Sequence, residues 1–93
     1  MPDSHQDSFK TNPQVVATPF DNGEGVLIDL QGKQYFQLNE TGLFIWQLLA
    51  DGKTSAQIIA ALTAEFEVSD DQAQASVQRL LADLQQRELL TTG

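Results

Sequence analysis

Few residues in this chain have types and spacings that point to chemistry, and each set lacks a required partner. Gly52-Lys53-Thr54 has the ending of a phosphate-binding loop, in which backbone N–H groups cradle phosphates and the lysine reaches them. That loop needs another glycine five residues before Gly52, where this chain has Gln47, and it must follow a strand. Asp21-Asn22-Gly23-Glu24-Gly25 is rich in oxygen ligands but lacks the spacing and the closing glutamate of a calcium loop. His5 is the only histidine, and it stands in a polar stretch that offers nothing to hold a Ser/His/Asp arrangement in geometry. Asp70 and Asp71 are neighbours, so a helix points them in different directions and they do not form a general acid–base pair. With no cysteine, thiol nucleophiles, disulfides and cysteine-containing metal sites are removed. The residues therefore point to a chain that is not an enzyme and holds no metal or cofactor.

Size and charge narrow the remaining classes. Ninety-three residues make one domain, and 41% apolar residues suffice for one modest core. Thirteen acidic residues against five basic ones give a net charge of −8. Phosphate recognition needs clustered Lys and Arg, so this charge weighs against nucleic acid. No apolar run approaches the roughly 18 residues of a membrane span. The first residues, MPDSHQDSFKTNP, have neither a basic nor an apolar region of a signal peptide, which leaves a cytoplasmic protein as the expectation.

The elements that would position a site are easier to read. Residues 1–13 are polar, lack periodicity and are expected to form a flexible N-terminal tail, followed by a domain over 14–90. Val15-Val16 suits a short strand ending before Pro19, and Asp21 to Gly25 has the composition of a turn. Val26, Ile28 and Leu30 alternate with Leu27 and Asp29, which predicts a strand whose apolar face carries those three residues. Gln31-Gly32-Lys33 reverses the chain, with Gly32 expected to supply the positive φ of a hairpin turn. In the next strand, Gln34 to Leu38, Phe36 and Leu38 share one face and Tyr35 and Gln37 the other.

Three helices should follow. Asn39 is a favoured N-cap, which is also the reading of its place in an Asn-Glu-Thr glycosylation pattern, and it opens a helix over about 40–50. Gly52 then falls at a left-handed C-cap position. Thr54-Ser55-Ala56-Gln57 and Ser69-Asp70-Asp71-Gln72 are both capping boxes, each before an amphipathic run. In the third helix Ala73, Val77, Leu80, Leu81 and Leu84 lie on one side of a helical wheel. Leu89-Leu90 should pack back onto the core. The predicted fold is α+β, a three-stranded antiparallel sheet followed by three helices that cover one of its faces.

The strand 34–38 has no proline and little charge, so as an edge strand it is poorly protected. Such an edge takes an extended peptide through backbone hydrogen bonds, or pairs with a copy of itself. The element order also fits a winged-helix DNA-binding protein. Against that, the third helix offers only Arg79 and Arg87 among Asp70, Asp71, Asp83 and Glu88.

A longer pattern discriminates among these. Gly25-Val26-Leu27-Ile28-Asp29 is followed by Gly32-x-x-Tyr35-Phe36-x-Leu38-Asn39-x-x-Gly42-x-x-Ile45-Trp46-x-Leu48-Leu49. It continues through Thr54, Ile58-Ile59, Leu62, Val77, Leu80-Leu81, Leu84 and Leu89-Leu90. Over residues 14–90 the chain resembles the PqqD-like family, named for the pyrroloquinoline-quinone biosynthesis protein D. The resemblance implies a winged helix-turn-helix-like fold acting as a recognition element for ribosomally made, post-translationally modified peptides. It implies that the leader region of a precursor peptide adds as a strand to the third strand, beside the third helix. On this chain the strand would be Gln34, Tyr35, Phe36, Gln37 and Leu38. The helix wall would be Ser76, Val77, Arg79, Leu80, Asp83, Leu84 and Arg87. The expected partners are that leader and a separate modifying enzyme, whether a radical S-adenosylmethionine protein, a leader peptidase or another. The chain itself would be a free-standing monomer or weak homodimer without nucleic acid or membrane.

Overall fold

The computed structural model describes residues 9–92. The order of elements is β1 (Phe9–Thr11), β2 (Val15–Pro19), β3 (Gly25–Asp29), β4 (Gln34–Leu38), α1 (Glu40–Ala50), α2 (Ser55–Phe66), α3 (Asp70–Gln86) and β5 (Leu90–Thr92). Strands β2, β3 and β4 form an antiparallel sheet in that order, the sheet expected from the alternating patterns. Leu27 of β3 stands opposite Ala17 of β2 and Phe36 of β4, and Ile28 stands opposite Val16 and Tyr35. β1 and β5 pair antiparallel as a separate ribbon.

That ribbon corrects the reading of residues 1–13 as a flexible tail. Phe9–Thr11 is a strand because the returning chain end supplies its partner, with Thr11 opposite Leu90. Asn12 then fastens the segment: its N–H donates to Leu89 O at 3.1 Å and its side-chain amide to Glu88 O at 3.0 Å. Residues 1–8 of the expected tail lie outside the described residues.

A second correction concerns the sheet's faces. The covered face of β3 carries Gly25, Leu27 and Asp29, all buried, and not the Val26, Ile28 and Leu30 set. Leu30 is 60% exposed, and the uncovered face also bears Val16 and Tyr35. The neighbour decides this. Phe36 and Leu38 of β4 share a face with Leu27, and that face meets Leu43, Ile45, Trp46 and Leu49 of α1. Ile58 and Leu62 of α2, with Ala73, Val77, Leu81 and Leu84 of α3, complete the core. Leu89 and Leu90 pack into it as expected.

The helix ends follow the sequence closely. Asn39 Oδ1 accepts from the Gly42 N–H at 2.8 Å. α1 closes with the Lys53 N–H on Leu48 O and the Gly52 N–H on Leu49 O, both 3.0 Å, while Gly52 takes a φ of +86°. Both predicted capping boxes form: Thr54 with Gln57, and Ser69 with Gln72. Each such cap contributes about 1 kcal/mol. Phe44 and Phe66 meet edge to face, with ring centroids 5.2 Å apart, and so join α1 to the end of α2.

Candidate functional site

The outer edge of β4 is open among the described residues, because β1 pairs with β5 rather than with β4. Two hydrogen bonds show which backbone groups it presents. The Leu30 N–H donates to Gln14 O at 3.0 Å and the Phe20 N–H to Glu24 O at 2.6 Å. In an antiparallel ladder the bonding direction alternates, so Val26 and Ile28 bond toward β2 and Gly25, Leu27 and Asp29 toward β4. Gln34, Phe36 and Leu38 are therefore the residues that bond β3. The N–H and C=O groups of Tyr35 and Gln37 turn to the open edge.

Beside that edge runs a groove formed with α1 and α3. A recess of about 450 Å³ is lined by Glu24, Phe36, Gln37, Leu38, Asn39, Gly42 and Leu80. An adjoining recess of about 210 Å³ shares Asn39, Gly42 and Leu80 and adds Thr41, Ile45, Ser76 and Arg79. Gly42 is the shared floor. A Cβ there would lie 3.1 Å from Leu38 Cδ2 and 3.2 Å from Asn39 Oδ1, so a side chain would crowd the groove.

α3 runs antiparallel to β4 along this groove. Ser76 and Arg79 flank the end at Asn39, Leu80 stands by Phe36 and Leu38, and the Arg87 guanidinium lies 4.8 Å above the Phe36 ring. From Ser76 to Arg87 the helix rises about 16 Å. The five residues of β4 span about 17 Å, so the two walls match in length.

The far end is braced by a polar cluster. Gln34 Nε2 donates to Asp29 Oδ2 at 3.1 Å and to Arg87 O at 3.2 Å. Asp29 Oδ1 accepts from the Gln31 N–H at 3.1 Å and the Gly32 N–H at 3.0 Å. These bonds, the Gly32 N–H and the Gln34 amide foremost, hold the Asp29 carboxyl below its ordinary pKa, against the opposing effect of burial. They also explain a buried carboxylate on an otherwise apolar face.

The residues that sequence reasoning chose divide into four groups. Phe36, Gln37, Leu38, Ser76, Arg79 and Leu80 line the groove, and Arg87 lies over Phe36 at its end. Tyr35 is 72% exposed on the sheet's other face and brings only its backbone to the edge, while Gln34 braces the end. Val77 and Leu84 are corrections: both are fully buried in the core, because they sit at the centre of the apolar arc of α3 and not at its margin. Asp83 is exposed on the same flank as Arg79 but lines neither recess. Glu24, Asn39, Thr41, Gly42 and Ile45 were missed. A glycine inside a helical pattern marks close approach, so Gly42 carried a usable signal. Among the described residues no cluster of three His, Cys, Asp or Glu side chains is placed to hold a metal ion.

An open strand edge over a groove of mixed polarity, on a three-stranded sheet backed by three helices, defines a small α+β recognition domain with a winged-helix-like arrangement. The family model for coenzyme PQQ synthesis protein D (PqqD) matches residues 24–90, and the chain belongs to this family. A solved structure of TbiB1 in complex with the TbiA(beta) leader peptide superposes with a TM-score of 0.82. It is 34% identical, and the match covers 90% of this chain and 96% of that one. A lasso peptide synthetase B1 complexed with the leader peptide gives a TM-score of 0.79 at 30% identity, covering 90% and 98%. No curated protein matches the chain.

Proposed function

We propose that this chain is a non-catalytic adaptor that binds the leader region of a ribosomally made precursor peptide. The leader adds as a strand to β4 beside α3, and the adaptor presents the precursor to a separate maturation enzyme. The outward N–H and C=O groups of Tyr35 and Gln37, bordering a groove of matching length with Phe36, Leu38 and Leu80 in its lining, are the observation that carries this reading. The two similar structures, both complexes with leader peptides, support it. Backbone bonds give affinity without regard to sequence, and the recesses select side chains. Holding the leader raises the effective concentration of the attached core peptide at the enzyme, which is how a domain without catalytic groups speeds a reaction. Ribosomal precursors place this work in the cytoplasm, and among the described residues no helix is long and apolar enough to cross a membrane.

The test is a titration of isotope-labelled protein with a synthetic leader peptide of a ribosomal precursor. The amides of Tyr35 and Gln37 should shift and gain protection from exchange. Unchanged amides at saturating peptide would overturn the site. Light scattering with and without the leader separates peptide docking from self-pairing of β4, which predicts a dimer that the leader does not disturb.

A further inference from the structure

The chain has only two arginines, and both stand on the flank of α3 that borders the groove. Arg79 lines the smaller recess, and Arg87 lies over the Phe36 ring. Eight residues apart on a helix, they are separated by about 12 Å along its axis and about 80° around it. Arginine's planar fork suits a carboxylate, which it binds through two parallel hydrogen bonds.

Among the described residues neither arginine makes an ion pair, and the guanidinium of Arg87 is recorded only against the ring face. Asp83 stands four residues from each, yet forms an ion pair with neither among the described residues. Glu24 lies at the Asn39 end of the larger recess, since Gly25 stands opposite Leu38, so Arg79 must offset its charge for a carboxylate docking there.

A strand added to β4 presents alternate side chains to α3 at about 3.3 Å per residue. Positions four apart share that face and lie about 13 Å from each other, close to the spacing of the two arginines. The position midway between them faces Phe36, Leu38 and Leu80. We infer that the segment docking on β4 carries two carboxylates four residues apart, one for Arg79 and one for Arg87, flanking an apolar side chain seated between them. This rests on the strand-addition reading and specifies the chemistry of its ligand. The net charge of −8 opposes an acidic peptide only weakly at a distance, since the field is screened beyond about 8 Å at physiological salt. Contact with the two guanidinium groups then decides.

A display library of nine randomised residues, selected on the immobilised protein, tests this directly. Enriched peptides should carry Asp or Glu at two positions four apart, with Leu, Ile, Val or an aromatic midway. In synthetic peptides of the enriched sequence, changing either acid to its amide should weaken binding about three- to tenfold. Arg79→Gln should cancel the effect at one position and Arg87→Gln at the other, while Arg87→Lys should retain part of it. Peptides that shift the Tyr35 and Gln37 amides but show no acid pair would overturn the inference and leave strand addition standing. An acid pair whose amide variants lose affinity equally in both arginine variants would overturn it as well. If no selected peptide shifts those amides, strand addition itself fails and the inference falls with it.

Discussion

The side-chain amide of Gln34 donates to the carbonyl of Arg87 across 3.2 Å, joining the open strand to the end of α3. Its other bond, to Asp29 Oδ2, ties both to the β3–β4 turn. One half-buried residue thus sets the distance between the groove's two walls. Gln34→Leu keeps the volume and removes both donors, leaving Asp29 and the Arg87 carbonyl short of a partner. Urea unfolding should show a loss of about 1–2 kcal/mol. Amide exchange in the last turn of α3 should quicken, and an unchanged exchange pattern there would show that the brace does not hold the wall.

Proline separates the two backbone directions of β4. At Gln37 it removes an outward N–H, so the variant should fold and lose about tenfold in leader affinity. At Phe36 it removes an inward N–H to β3 together with a groove-lining ring. That variant should lose about 3 kcal/mol, from the broken ladder bond and the lost ring together. Thermal unfolding and peptide titration of both variants check the assignment, and equal stability of the two would contradict the alternation derived for β4.

The β3–β4 turn holds a less obvious contrast. The residue with a left-handed backbone there is Lys33, with a φ of 56°, and not Gly32 as the sequence suggests. Gly32 is needed for space, since a Cβ would sit 2.5 Å from Asp29 Oδ2. Gly32→Ala should therefore destabilise by about 1–3 kcal/mol. Lys33→Gly should stabilise by about 0.5–1 kcal/mol, by relieving a left-handed non-glycine. Chemical denaturation of the pair gives opposite signs if the turn is as described.

Asp29 should mark the stability curve in acid. Its folded pKa is lowered, chiefly by the Gly32 N–H and the Gln34 amide, so the unfolded chain takes up its proton first as pH falls. The stabilisation is complete above the ordinary aspartate value of about 4 and is lost as pH drops through the lower folded value. Asp29→Asn removes this dependence. The stability gap between the wild type and that variant should be constant near neutrality and narrow below about pH 4, as read by unfolding at stepped pH. A gap that persists unchanged into stronger acid would place the carboxylate's role elsewhere.

Local structure was the legible part. Asn39, Thr54, Ser69 and Gly52 bond to groups within a few residues of themselves, so their geometry is contained in a short stretch of chain. The hairpin was legible for the same reason. The buried face of β3 was not, because Val26, Ile28 and Leu30 on one side and Leu27 on the other are all apolar. Periodicity reports alternation and not which side another element will cover. Nor was β1 legible, since its partner strand lies some eighty residues away and its three residues are too few to show a period of their own.

The sequence by itself determined the order of elements from β2 to α3, the caps and the place of the β3–β4 turn. It also placed the open strand at Gln34–Leu38, through an alternating pattern without proline or charge. Only the tertiary structure decided that Tyr35 and Gln37 point their backbone groups outward, that Val77 and Leu84 belong to the core, and that Arg79, Leu80 and Arg87 border the groove. The physical reason is range. Caps and turns close hydrogen bonds over a few residues, whereas a strand's bonding direction depends on its pairing with neighbouring strands and a helix's exposed margin on packing against segments about fifty residues away.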